Sequence, residues 1–175
     1  MKKLLPLILF LICLSIFAYS NDSEAAKYLQ SGYDKEKAGD YKGAIKDYTK
    51  AIELKPIYAT GLSAAYYGRG FSKYRLGKYV EAIKDFDKAI KVDPRNINVY
   101  FCRAGAKIKI MDYLGAMRDL TKEIELNPKD AMAYYLRGVV NFDYGDKKSA
   151  IEDLNKAGEL GYDKAYDMIK KIQGE

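Results

Sequence analysis

Apolar and polar positions recur in blocks along this chain. The stretch GKYVEAIKDFDKAIKVDP at 77–94 has counterparts at 39–56 (GDYKGAIKDYTKAIELKP), 111–128 (MDYLGAMRDLTKEIELNP) and 145–162 (GDKKSAIEDLNKAGELGY). The last two copies each start 34 residues after the one before. A fixed period of this length means one supersecondary unit stacked on copies of itself. The apolar residues inside the blocks are Ala44, Ile45, Tyr48, Ala51 and Ile52; Ala82, Ile83, Phe86, Ala89 and Ile90; Ala116, Met117, Leu120 and Ile124; and Ala150, Ile151, Leu154 and Ala157. Spacings of one, three and four put each set on one face of a helix. The small Ala lets a neighbouring helix come close, and the aromatic or Leu fills the space between. Each block also follows its own apolar stretch, such as YYGRGFSKYRL at 66–76, so the unit is about two helices.

The polar and special residues mark the boundaries. Residues 24–38 form a first helix ended by Gly39, with Asp40 opening the second; the Gly-Asp pair returns at 145–146. Gly takes the left-handed conformation that closes a helix, and Asp accepts backbone N–H bonds as the next N-cap. Gly77-Lys78 keeps the Gly and loses the cap, whereas Met111-Asp112 keeps the cap and places Met where a left-handed residue costs roughly 1–2 kcal/mol. Pro56, Pro94 and Pro128 stop propagation past the helix ends. Asn96 and Asp130 are placed to cap the following helices. Four extra residues around Ala59-Thr60-Gly61-Leu62 predict either a first helix lengthened by one turn or a short loop. Residues 163–173 predict one more helix, the polar-faced cap that a stack of this kind needs.

Composition adds a compartment. With 49% hydrophobic and 31% charged residues, the chain suits one mostly helical domain over 21–175. Residues 1–20 stand apart: Lys2 and Lys3, an apolar run from Leu4 to Ala18, then Ala18-Tyr19-Ser20 before a polar stretch. That layout predicts a signal peptide cleaved after Ser20, the run being short for a membrane span of roughly 20 residues. The alternatives are an uncleaved membrane anchor and a lipidated Cys13, the latter disfavoured by the bulky Ile12. The expectation is therefore export to the periplasm or beyond the cell, with no membrane span in the mature chain. Loss of residues 1–20 would remove two Lys from a formal charge of +6. The excess is spread along the chain, which suits solubility rather than nucleic-acid binding.

The chemistry-bearing residues argue against catalysis. The chain has no His, the commonest general base and metal ligand. Cys102, the one cysteine after residue 20, then has no His partner for thiol chemistry and is expected in the core. Gly68-Arg69-Gly70 lies inside a helix with no strand before it, unlike a dinucleotide loop. Gly70, like Gly32 and Gly138, is expected to permit close helix packing. Asp and Glu are expected on solvated helix faces without an acid–base pair. Asn21-Asp22-Ser23 is a formal glycosylation sequon and carries little weight beside a bacterial-type signal segment.

The repeat resembles the tetratricopeptide repeat. The matching residues in the second copy are Tyr66, Gly70, Gly77, Tyr79, Ala82, Phe86, Ala89 and Pro94, and in the first Tyr28, Gly32, Gly39, Tyr41, Ala44, Tyr48, Ala51 and Pro56. The third copy departs at Met111 and Glu123, the fourth at Lys147 and Tyr162. The resemblance implies an all-α, right-handed solenoid of four helix pairs, at about 25–58, 59–96, 97–130 and 131–164, plus the cap helix. It further implies a concave face lined by the first helix of each pair, and binding of a protein or peptide rather than catalysis or use of a cofactor. Family proteins that clamp an acidic C-terminus resemble one another in Lys and Asn at two first-helix positions. Here those positions hold Leu29 and Tyr33, or Tyr67 and Phe71, followed by Gly68, Asn98 and Cys102 or by Cys102, Met132 and Leu136, so that clamp is absent.

Carried onto this chain, the groove positions are Leu29, Tyr33, Tyr67, Phe71, Tyr74, Phe101, Ile108, Tyr135, Val139 and Phe142. An aromatic row of this kind marks an interaction site for a mostly apolar peptide or helix. Alternatively, some of these rings, Tyr74 and Phe142 especially, pack between helices. A second expectation concerns charge. Asp47, Asp85, Asp119 and Asp153 share one position, and Arg69, Arg103 and Arg137 another, with Ser31 in the first repeat. The pattern predicts that each Arg reaches back to the Asp of the preceding repeat, with Lys171 meeting Asp153. The functional expectation is a non-catalytic binding module, probed against a structural adaptor that docks within an envelope or secretion assembly without a free peptide ligand.

Overall fold

A computed structural model describes residues 22–56 and 58–174. The signal-segment reading of residues 1–20 lies outside them. Every regular element among the described residues is a helix: α1 (22–37), α2 (Tyr41–Glu53), α3 (Ala59–Arg75), α4 (Tyr79–Val92), α5 (Ile97–Lys109), α6 (Tyr113–Leu126), α7 (Ala131–Tyr144), α8 (Lys147–Glu159) and α9 (Lys164–Gln173). None is long and apolar enough to cross a membrane. The helices fall into two compact units. The first ends at Asp93 and holds α1–α4; the second starts at Pro94 and holds α5–α9.

The turns inside the pairs follow the sequence logic. Gly39, Gly77 and Gly145 have φ of +81°, +76° and +99°, and Met111 takes the same left-handed conformation at +61°. Asp40, Asp112 and Asp146 each accept a backbone N–H three residues on, from Gly43, Gly115 and Ser149. Lys78 makes no side-chain cap. Asp130 caps α7 through the N–H groups of Met132 and Ala133. Asn96 occupies the corresponding position before α5 but makes no cap bond, which corrects that expectation. The four extra residues lengthen a helix: α3 has 17 residues, against 13 in α5 and 14 in α7.

The repeated apolar face is the core. In the first unit Ala44, Ala51, Ala82, Phe86 and Ala89 are fully buried. A Cβ on Gly70 would come within 2.8 Å of the Phe86 ring, and one on Gly68 within 2.3 Å of Tyr48. The first contact closes the α3–α4 pair; the second lets Tyr48 of α2 lie against α3. In the second unit one cluster joins Ala104, Ala116, Leu120, Ile124, Ala133 and Val140, and another joins Ala150, Leu154 and Ala157 to Ala165, Ile169 and Ile172 of α9. The predicted cap helix therefore covers the apolar face of α8. Cys102 is only half-buried, so it is not the fully enclosed core residue expected.

Candidate functional site

In the first unit the groove positions of α1 and α3 enclose a cavity of about 430 Å³. Leu29 and Tyr33 on α1 and Tyr67 on α3 form apolar walls, with the small Ala26 and Ala64 between them. That volume lies in the range of roughly 300–1,000 Å³ usual for ligand pockets. Tyr33 stands at the rim, 49% exposed. Tyr48 and Glu36 close the inner end. Tyr48 is buried, and its hydroxyl donates to Glu36 Oε2 at 3.2 Å. Ser72 Oγ donates to the same oxygen at 3.4 Å. Desolvation pushes the Glu36 carboxyl above its ordinary value despite both donors and the nearby Arg75. The same burial, with the Glu36 charge beside it, pushes the Tyr48 phenol up.

The remaining groove positions of this unit lie further along α3. Tyr67 packs against Phe71 and Phe86, with ring centres 6.3 and 6.2 Å away. Phe71 carries the Arg75 guanidinium 5.9 Å above its ring, and Arg75 also stacks on Tyr41 at 4.8 Å. Tyr74 meets Tyr79 edge-on at 5.5 Å, so it packs between the helices of its own pair. In the second unit, Phe101 and Ile108 pack on the α5–α7 core, and Tyr135 and Phe142 pack on the core of α8 and α9. Tyr135 stacks on Tyr162 at 4.7 Å. Val139 is half-buried. The inter-helix alternative raised for Tyr74 and Phe142 thus describes their surroundings, whereas Leu29, Tyr33 and Tyr67 line the cavity.

The charge ladder exists with a different pairing. Arg69 binds both oxygens of Asp85 in its own pair, at 2.9 and 2.7 Å, and Lys73 adds a third contact at 2.7 Å. Arg103 and Lys107 converge on Asp119 in the same way, and Arg137 and Asn141 on Asp153. Ser31 and Lys35 meet Asp47. Each Asp is buried, which corrects the expectation that the acids lie on solvated faces. The predicted reach to the preceding repeat is made to a different residue: Arg69 Nη1 donates to Thr49 and Arg137 Nη1 to Thr121. Lys171 is exposed, and Asp153 is met by Arg137 and Asn141 instead. The reason is geometric. Antiparallel helices of one pair face each other along their length, so a residue sixteen positions on lies opposite, within reach of a bidentate guanidinium. Each Arg also lies about 5.6–5.7 Å from the ring of the Tyr three residues before it, Tyr66, Tyr100 or Tyr134.

One buried acid escaped the sequence reading as a feature of chemistry. Glu123 takes the place held by the fully buried Ala51, Ala89 and Ala157, and it is 4% exposed with Oε2 unpartnered. Burial, then the adjacent Asp130, pushes its carboxyl up to about 8. Its departure from the small-residue position was the available signal. Among the described residues no group of His, Cys, Asp or Glu is arranged to hold a metal ion.

This fold is an all-α tetratricopeptide solenoid. Tetratricopeptide-repeat family models match residues 28–58 and 63–96. The structure is similar to the crystal structure of MamA protein, with 26% identity, a TM-score of 0.76, and coverage of 86% of this chain and 83% of that one. It is also similar to the first tetratricopeptide domain of Spaghetti (RPAP3) bound to the HSP90 peptide SRMEEVD, at 26% identity and TM-score 0.61 over 64% of this chain and 90% of that one. A tetratricopeptide repeat protein from Parabacteroides merdae shares the fold at 21% identity and TM-score 0.77, covering 87% of this chain and 61% of that one. No curated protein sequence matches at a significant level. The fold and these likenesses define a protein-interaction scaffold.

Proposed function

We propose that the chain is an exported, non-catalytic module that binds a protein or peptide through the first-helix face of its repeats. The observation that carries this reading is the cavity walled by Leu29, Tyr33 and Tyr67, an apolar recess open to solvent. Apolar recesses lined by aromatics supply the buried contacts that dominate peptide affinity. The peptide-bound state of the RPAP3 domain supports the same use of a similar fold. The acidic peptide in that complex does not transfer, because Leu29, Tyr33, Tyr67 and Phe71 stand at the clamp positions. Export rests on the layout of residues 1–20, and sequencing the mature N-terminus tests it: a chain beginning after Ser20 is expected, and one beginning at Met1 overturns cleavage.

The binding face is tested by Tyr67→Ala combined with Phe71→Ala, with partner capture from intact cells and thermal unfolding measured together. Capture is expected to fall while the protein stays folded. Unchanged capture with a sharply lowered unfolding temperature would assign these rings to the core alone. A single stoichiometric complex, in place of a range of clients, would favour the adaptor reading.

A further inference from the structure

The cavity of the first unit is not uniformly apolar, and its one charged lining group indicates its ligand. We infer that this cavity takes a basic side chain, lysine or arginine, presented by an otherwise apolar peptide segment. The inference rests on the peptide-binding reading and specifies what that site selects.

Leu29, Tyr33 and Tyr67 line a passage from the exposed rim to the Glu36 carboxylate at the inner end. A lysine or arginine side chain has the matching layout, an aliphatic stem with a charged tip. Tyrosine faces attract a cation passing over them, and Tyr33 already holds the Lys37 ammonium 5.4 Å from its ring centre. At the inner end both hydrogen bonds received by Glu36 fall on Oε2, which leaves Oε1 for a ligand donor.

Charge balance points the same way. The two donors and Arg75 stabilise the Glu36 anion, yet desolvation outweighs them and holds the carboxyl above its ordinary value. The site therefore contains a negative charge that its surroundings undercompensate. Arg75 is engaged with Tyr41 and Phe71, and Lys37 sits on Tyr33, so neither cation is a lining group. A cation entering from solvent supplies what is missing, as a charge-assisted hydrogen bond in a partly desolvated site. An apolar side chain of equal length would fill the walls and leave Glu36 further desolvated without a partner, which is unfavourable. An acidic side chain would meet like charge.

The test uses the full chain on an array of random-sequence peptides, with Glu36→Gln alongside. Gln keeps the shape and an acceptor for Tyr48 and Ser72. Bound peptides are expected to be enriched in Lys or Arg among apolar neighbours, and the variant is expected to lose that enrichment while still binding peptides. The best binder is then remade with norleucine in place of its basic residue. Fluorescence anisotropy should show about tenfold weaker binding to the native protein and no difference for the variant. Acidification should erode the native preference as Glu36 takes up a proton, and leave the variant unchanged. Binders without basic enrichment, or an enrichment that survives Glu36→Gln, would overturn the inference and leave peptide binding intact. An array that captures no peptide at all would overturn the binding-module reading, and this inference with it.

Discussion

Glu123 is the residue most at odds with its surroundings. Its three counterparts are alanines packed at closest approach, and here a carboxyl occupies that position with one oxygen unpartnered. Protonated, it can donate to Asp130, the residue that caps α7. The consequence for stability follows from linkage. Below the ordinary value of 4.5 both the folded and the unfolded chain hold the proton. As pH rises, the unfolded chain releases it first, so stability falls, and the contribution is lost once pH passes the folded value of about 8. Glu123→Gln should remove this slope. The variant is expected to match the native protein in acid and to exceed it by about 1–3 kcal/mol in mild alkali, the cost of a buried group lacking a partner. Urea denaturation across that pH range checks it; parallel curves at every pH would show that Glu123 does not titrate between these limits.

Pairs of helices are held by the buried aspartates as well as by the alanine face. Asp85 and Asp119 have side chains 3% and 4% exposed, each facing two cations from the first helix of its own pair. Such clusters need not exceed an apolar replacement in stability, but removing one partner strands a buried charge at roughly 3–5 kcal/mol. Asp119 provides a discriminating experiment within one unit. A double-mutant cycle with Arg103 should give strong coupling, whereas the cycle with Arg137, whose reach ends on Thr121 and Asp153, should give coupling near zero. The opposite result would restore the inter-repeat pairing that the sequence pattern suggests. The arginines thus tie the two helices of a pair directly, and Arg69 and Arg137 touch the preceding repeat through a threonine hydroxyl.

The molecule as a whole is built from elements that cannot bury their faces alone. Stacked repeats expose an apolar surface at an end unless a terminal element covers it. In the second unit α9 does this, placing Ala165, Ile169 and Ile172 on Ala150, Leu154 and Ala157. Removing residues 163–175 is expected to lower the unfolding midpoint and to speed amide exchange in α8 ahead of α5 and α6. Equal acceleration throughout the second unit would mean that it unfolds as one cooperative block. The first unit carries the open, largely apolar cavity, whereas in the second four of the five proposed groove side chains pack on the cores. The proposed ligand contact is accordingly strongest at α1 and α3.

Periodicity was sufficient to read the helix pairs, the left-handed turns and the cap helix, because each depends on residues close in the chain. Met111 illustrates this: its place in the block predicted a left-handed residue, and its φ is +61°. Leu29, Tyr33 and Tyr67 came as groove positions from the family resemblance, and their place around one cavity came from the packing of α1 and α3. Other features depended on how helices face one another. The partner of each arginine was misassigned, because the pattern contains both sets of charges without saying which helix lies opposite. Nothing in the sequence around Glu36 marks it as a cavity group. Its role at the inner end of a cavity required Tyr48 from α2 and Ser72 from α3 to be brought against it, contacts 12 and 36 residues distant in the chain. Burial is likewise collective: an aspartate reads as solvated from its neighbours in sequence, and only the packed pair removes it from water. Local pattern determines helices and turns through backbone conformation and face, whereas desolvation and charge pairing are set by tertiary packing across helices.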